Sequence, residues 1–224
     1  MIRMHIRLGL VLTLVTGLLW VSCSRNPLAN ETGTAVARAC RWLANQQGSD
    51  GAISEPTKLL NFDVWETANA LTALLRCGTA VDQAVINKGF EFLDANWIDQ
   101  GGLPESSGRR ISPFKSHCVE TTSTAMRAYV AGRKRAQAEK LRDFLFSVQE
   151  PDGGWKIGYP EAKTFPNGEA LEVYPSVTGF ALTSIAAVPS QSQRPNVERG
   201  LMWLTARQSA NGDWGAFPDY LGIP

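Results

Sequence analysis

Seven side chains in this sequence could carry proton or ligand chemistry, and they cluster at the heads of three stretches. Asp63, Trp65 and Glu66 open the first, His117 and Glu120 the second, Glu172 and Tyr174 the third. Carboxylates interleaved with aromatics suit general acid/base work on a sugar or an isoprenoid. Glu120, Asp63 and Glu66 are the candidate acids; Trp65, His117, Glu172 and Tyr174 are candidate ligand contacts. The same carboxylates, set at helix N-termini, would also serve as caps and complement the helix dipole. A carboxyl group becomes a competent acid only where burial or a neighbouring charge raises its pKa. His117 adjoins Cys118, but adjacent residues on one segment point apart and no third residue orients them as base and nucleophile.

Other chemistries are excluded more directly. The chain has no Gly-x-Ser-x-Gly, no P-loop and no dinucleotide fingerprint, so no cofactor is implied. Two histidines and four cysteines leave little for a metal site, and none is expected. Lys plus Arg is 22 against 21 for Asp plus Glu, which gives no electrostatic footprint for nucleic acid. At 44% hydrophobic and 19% charged, the 224 residues read as a globular chain.

The elements that must position these side chains are repeats. Four segments share an aromatic-Leu pair, then Gln or Trp four residues after the Leu, then a polar residue and Gly: Trp42-Leu43 to Gly51, Phe92-Leu93 to Gly101, Phe144-Leu145 to Gly153, and Trp203-Leu204 to Gly212. An apolar residue follows each Gly by two: Ile53, Leu103, Trp155, Trp214. Between them falls a second pattern, Val, then Thr or Ser, then an apolar residue: Val64/Thr67/Leu71, Val119/Thr122/Met126 and Val173/Ser176/Phe180. The first pattern predicts helices over 34–47, 83–97, 135–149 and 194–208, each stopped by a Gly at positive φ. The second predicts small-residue-rich helices over 64–77, 119–131 and 174–188. A hairpin of this kind cannot bury both faces alone, so neighbours must stack. A Trp after a turn, as at Trp155 and Trp214, is expected to pack back over the helix end, with the Gln side chain satisfying backbone groups there.

The N-terminus sets the compartment. Arg3 and Arg7 precede a 14-residue apolar run, Leu8–Val21, which is a secretory signal in layout and short for a membrane-spanning helix. Ser22-Cys23 resembles a bacterial lipobox, so residues 1–22 are expected to be a signal peptide and Cys23 the lipidated N-terminus. Residues 24–33 then read as a tether, 34–217 as the repeat domain and 218–224 as a tail. The implied location is the bacterial cell envelope, with the membrane reached through the lipid on Cys23, on the outer-membrane or periplasmic side. Cys40, Cys77 and Cys118 are expected to be unpaired thiols.

Gln149-Glu-Pro-Asp-Gly-Gly-Trp155 and Gln208-Ser-Ala-Asn-Gly-Asp-Trp214 resemble the QW repeats of squalene-hopene cyclases and the related repeats of protein prenyltransferase β subunits. Asp63-Val-Trp-Glu-Thr-Ala68 resembles their inner-helix segment. The resemblance implies an all-α, α/α toroid-like fold of about 3.5 hairpins, shorter than the family's closed ring and therefore open or incomplete. In the cyclases the protonating acid sits in Asp-x-Asp-Asp-Thr-Ala. Aligned on that motif, the acid's place is taken here by Trp65, by Glu120 in the second repeat and by Tyr174 in the third. The prenyltransferase Asp-x-Cys zinc motif is not retained. These readings leave three functions open: a divergent envelope protein binding an apolar or glycan ligand or a partner protein; an enzyme acting on an isoprenoid or polysaccharide through a carboxylate acid; and a scaffold completed as a homodimer.

Overall fold

The computed structural model describes residues 27–54, 62–77, 81–98, 101–107, 117–158 and 173–214. Cys23 and the signal segment, the 218–224 tail and Glu172 lie outside the described residues. The chain divides into two compact units, Met1–Ala39 and Cys40–Pro224. In the first, the described part is the leading portion of helix α1, Pro27–Asn45, which ends in the second unit. Helix α1 therefore takes in part of the stretch read as a tether. Pro27 opens it, where a missing N–H costs nothing and the fixed φ suits a helix start.

The second unit continues with α2 (Asp63–Arg76), α3 (Gln83–Asp94), α4 (Val119–Ala131), α5 (Arg135–Ser147), α6 (Pro175–Ala186), a short 3-10 turn (Gln191–Gln193) and α7 (Arg194–Thr205). Only isolated bridges, and no strands, occur among the described residues. Helices α2, α4 and α6 form an inner row, α2 packed on α4 and α4 on α6; α3, α5 and α7 each pack on the inner helix before them. The central helix α4 is buried along most of its length, with Thr121, Thr122, Ser123, Ala125 and Ala128 all fully covered. Residues this small let helix axes approach closely. Ser184 of α6 donates its hydroxyl to the Ser123 carbonyl of α4 at 2.8 Å, and Arg127 of α4 lies over the Phe180 ring of α6.

The repeat turns close as the pattern predicts. Gly51, Gly101, Gly153 and Gly212 have φ of 94°, 94°, 103° and 92°, which only glycine adopts without strain. Each turn but the last also presses on the next outer helix: a Cβ on Gly51 would meet the Lys88 carbonyl of α3, on Gly101 the Phe144 ring of α5, on Gly153 the Arg199 carbonyl of α7. Gln149 extends this stitch. Its amide donates to Gly153 O at 2.8 Å, within its own turn, and to Asn196 O at 2.9 Å on α7. Gln47 does the same with Gly51 O and Val85 O of α3. Trp155 is fully buried and donates its indole N–H to Leu145 O, and Trp214 repeats that bond to Leu204 O. In the second repeat Trp97 replaces the Gln. It lies just past the end of α3 rather than on it, and donates to Tyr129 Oη, which in turn donates to Asp94.

A second stitch joins turn to inner helix. The N–H groups of Ile53, Leu103 and Trp155 donate to the buried hydroxyls of Thr67, Thr122 and Thr178 at 2.9, 2.9 and 3.1 Å. This fixes the register of the inner row and corrects the third repeat. Thr178, not Ser176, is the counterpart of Thr67 and Thr122, so Pro175 stands for Val64 and Val119. Tyr174 then aligns with Asp63 and Cys118, and the place of Trp65 and Glu120 is taken by Ser176.

Candidate functional site

The N-termini of α2 and α4 are joined by the segment 101–107, and here a set of carboxylates converges. The Glu105 carbonyl accepts from the N–H groups of Val64 and Trp65 at 3.2 and 3.4 Å, satisfying donors that a helix start leaves orphaned. The equivalent carbonyl of the next turn, Ile157 O, accepts from Val119 at the start of α4. Asp63 is buried and accepts both the N–H and the hydroxyl of Ser107, at 2.8 and 2.6 Å. It is held as an anchor for this segment.

Glu120 lies one residue inside α4, half-buried. Burial first, and then the Glu105 carboxylate, hold it above the ordinary glutamate range. The Cys118 thiol, fully buried and donating towards Glu105 Oε1 at 3.6 Å, is raised far above its usual value by burial and by the same acids. Burial and a neighbouring carboxylate both favour the protonated form of such a group. Cys118 is correspondingly a poor nucleophile.

The other predicted residues part from this pair. His117 is buried with its ring edge-on to Phe144, centroids 4.9 Å apart, and burial lowers its pKa. It is a neutral packing residue on the outer-helix side. Tyr174 is buried just before α6. Trp65 and Glu66 face a different feature, a cleft of about 330 Å³ between α1 and α2 that Trp42, Leu43, Ile53 and Ala70 also line. Trp42 and Trp65 stay 56% and 37% exposed. Sequence reasoning missed Glu105 and the cleft-lining Trp42: the first sits in a loop with no periodic signal, and the second is one of four equivalent aromatic-Leu pairs with nothing in the pattern to set it apart. Among the described residues no three of His, Cys, Asp and Glu converge as they would around a metal, and no helix is long and apolar enough to cross a membrane.

Known proteins share parts of this sequence and its fold. Residues 116–220 match the squalene-hopene cyclase C-terminal domain. That stretch, just under half of the chain, is similar to the C-terminal domain of the squalene-hopene cyclases. Similarity to terpenoid cyclases extends over more of the chain's length. A terpene cyclase–glycosyl transferase fusion protein of Humicola fuscoatra is 25% identical over 203 residues, covering 82% of this chain and 14% of that protein. Sporulenol synthase of Bacillus subtilis (strain 168) is 26% identical over 172 residues, covering 67% and 27%. The chain thus spans well under a third of either relative. In fold it resembles ent-copalyl diphosphate synthase from Streptomyces platensis (TM-score 0.56, 21% identity, 81% of this chain and 32% of that one). It also resembles a type II terpene cyclase from Scytonema bound to geranylgeranyl dihydroxybenzoate (TM-score 0.56, 16% identity, 83% and 52%). The α/α toroid is the fold these terpenoid cyclases share with the present chain.

Proposed function

We propose that this chain is a lipid-anchored protein of the bacterial cell envelope, acylated at Cys23, whose terpenoid cyclase-type domain works by binding and not by proton-initiated cyclisation. The carrying observation is the fate of the acid-motif positions in the first repeat. The middle acid is Trp65, and Asp63 is consumed by Ser107. What Trp65 lines instead is a cleft walled by a second tryptophan and small apolar residues. Such walls favour an apolar occupant over a glycan. Incubating the full chain with linear polyprenyl substrates, the ligand class suggested by the relatives' names, should yield no cyclised product; formation of one would overturn the binding reading. Anchoring is tested separately: Cys23→Ala should release the protein from the membrane fraction and abolish labelling by a fatty-acid analogue.

A second reading is favoured by one observation, the half-buried placement of Glu120 beside Glu105, which raises its pKa. In it the chain is an enzyme that protonates an isoprenoid from the rim of α4. It predicts turnover that Glu120→Gln removes with little change in melting temperature.

A further inference from the structure

The central inner helix has a single open face. Along α4 only Glu120, Arg127, Val130 and Ala131 escape burial, and the spacing of Glu120, Arg127 and Ala131 sets those three on one side of the helix. Helices α2 and α6 flank α4, so this face lies in the middle of the inner row. The threonine register makes Arg76 of α2 the counterpart of Ala131, one helical turn on from Arg127.

Two guanidinium groups therefore meet where α2 packs on α4. Burial first, and then the charge of Arg76, lower the pKa of Arg127. An arginine stays charged all the same, so the pair gathers two positive charges in one place. Neither forms an ion pair with a described residue. The acid on the same face, Glu120, stands about 10 Å from Arg127 along the axis, too far to neutralise it.

Local structure accounts for one of the two. Arg76 lies in the last turn of α2, where a cation complements the helix dipole. Arg127 comes before the last turn of α4 and has no such reason. Its guanidinium carbon stands 5.5 Å from the Phe180 ring centroid, and its Nη2 donates to Thr124 Oγ1 at 3.4 Å. These contacts fix the group in place yet leave its Nε–H buried without an acceptor. A buried donor on a charged group is costly to leave unpaired.

We propose that Arg76 and Arg127 form a binding site for a phosphate group, free or borne on the end of an amphiphile. A tetrahedral phosphate accepts from two guanidinium forks at once, the task for which arginine is better built than lysine. It supplies the acceptor that Arg127 Nε lacks and the negative charge that the two cations share. The half-buried Phe180 ring beside Arg127 offers apolar surface to a stem. The site goes beyond the function proposed above and does not depend on what fills the Trp42/Trp65 cleft.

The test is titration calorimetry of the full chain at low salt, with inorganic phosphate and with hexyl phosphate as separate titrants. One saturable site per chain is expected. Arg76→Gln and Arg127→Gln should each weaken binding by about tenfold or more, and Arg76→Lys, which keeps the charge and loses the fork, should weaken it less than Arg76→Gln. Arg135→Gln, which removes an exposed arginine already paired with Glu139, should leave binding unchanged. Arg76 is exposed, so its variants keep the fold and decide the matter even if Arg127→Gln unfolds. Tighter binding of hexyl phosphate than of inorganic phosphate identifies an amphiphile as the source; equal binding identifies the free ion. No saturable heat with either titrant, or binding that Arg76→Gln and Arg135→Gln weaken alike, overturns the site.

Discussion

Asp63 holds Ser107 by two hydrogen bonds, to its N–H at 2.8 Å and to its hydroxyl at 2.6 Å, across a sequence separation of 44 residues. The carboxylate at the head of α2 is therefore an anchor for the segment that carries Glu105. Removing it should act first on that segment. Asp63→Ala should cost about 1–3 kcal/mol, the range for a lost charged acceptor leaving buried donors unpaired. Amide exchange over 101–107 should accelerate more than elsewhere, and Asp63→Asn should have a smaller effect because it keeps one acceptor. Urea unfolding with hydrogen-exchange mass spectrometry reads both.

The threonine stitches make a second prediction. Thr122→Val and Thr178→Val keep shape but orphan the buried N–H of Leu103 or Trp155. Each should lose about 1–3 kcal/mol, while the Ser variants, which keep the hydroxyl, lose less. Equal urea midpoints for Val and Ser variants would contradict the assignment.

Turn glycines should not respond alike. Gly153→Ala and Gly212→Ala both place a side chain at positive φ, a strain of about 1–2 kcal/mol. At Gly153 the new Cβ would also come within 2.6 Å of the Arg199 carbonyl, whereas at Gly212 it enters open space. The first variant should therefore melt well below the second in the single chain, as calorimetry would show.

Glu120 ties stability to pH. Its folded-state pKa lies above the unfolded one, because burial and Glu105 disfavour the charged form. The folded state then binds the proton more tightly, and stability falls as pH rises from the ordinary glutamate range through the raised value. Glu120→Gln, permanently neutral, should be close to the parent in stability at about pH 4 and more stable than it at about pH 8. Urea titrations at the two pH values decide it; a variant less stable at the higher pH would show that the charged form is favoured in the fold.

Much of the scaffold was legible because its determinants are local and spaced. Gly51, Gly101, Gly153 and Gly212 mark turns that no other residue forms cheaply, and α3, α4, α5 and α7 begin within a residue of the predicted positions. The third inner helix was read two residues out of register because Val173-x-x-Ser176 imitates the Val-x-x-Thr pattern, while the hydrogen bond that sets register goes to Thr178. The start of α1 was missed since Pro27–Gly33 is turn-rich in composition yet continues a helix. The candidate residues at the helix heads converge only in part. Asp63 and Glu120 do meet one segment, but His117 is turned to Phe144, and Trp65 and Glu66 open on the α1–α2 cleft. Helix periodicity places a residue near a helix end; it does not say which neighbour claims its side chain.

The bond from each turn to its inner helix spans a different length of chain, from Ile53 to Thr67, from Leu103 to Thr122 and from Trp155 to Thr178. The clasp is the same while the excursion between its halves lengthens. Alignment of the layers is thus secured at the stitches, and in the second excursion also by Glu105 and Ser107, which hold the head of α2. Length can vary between the clasps as long as those contacts are kept, which makes the excursions the places where new recognition surfaces could be grafted.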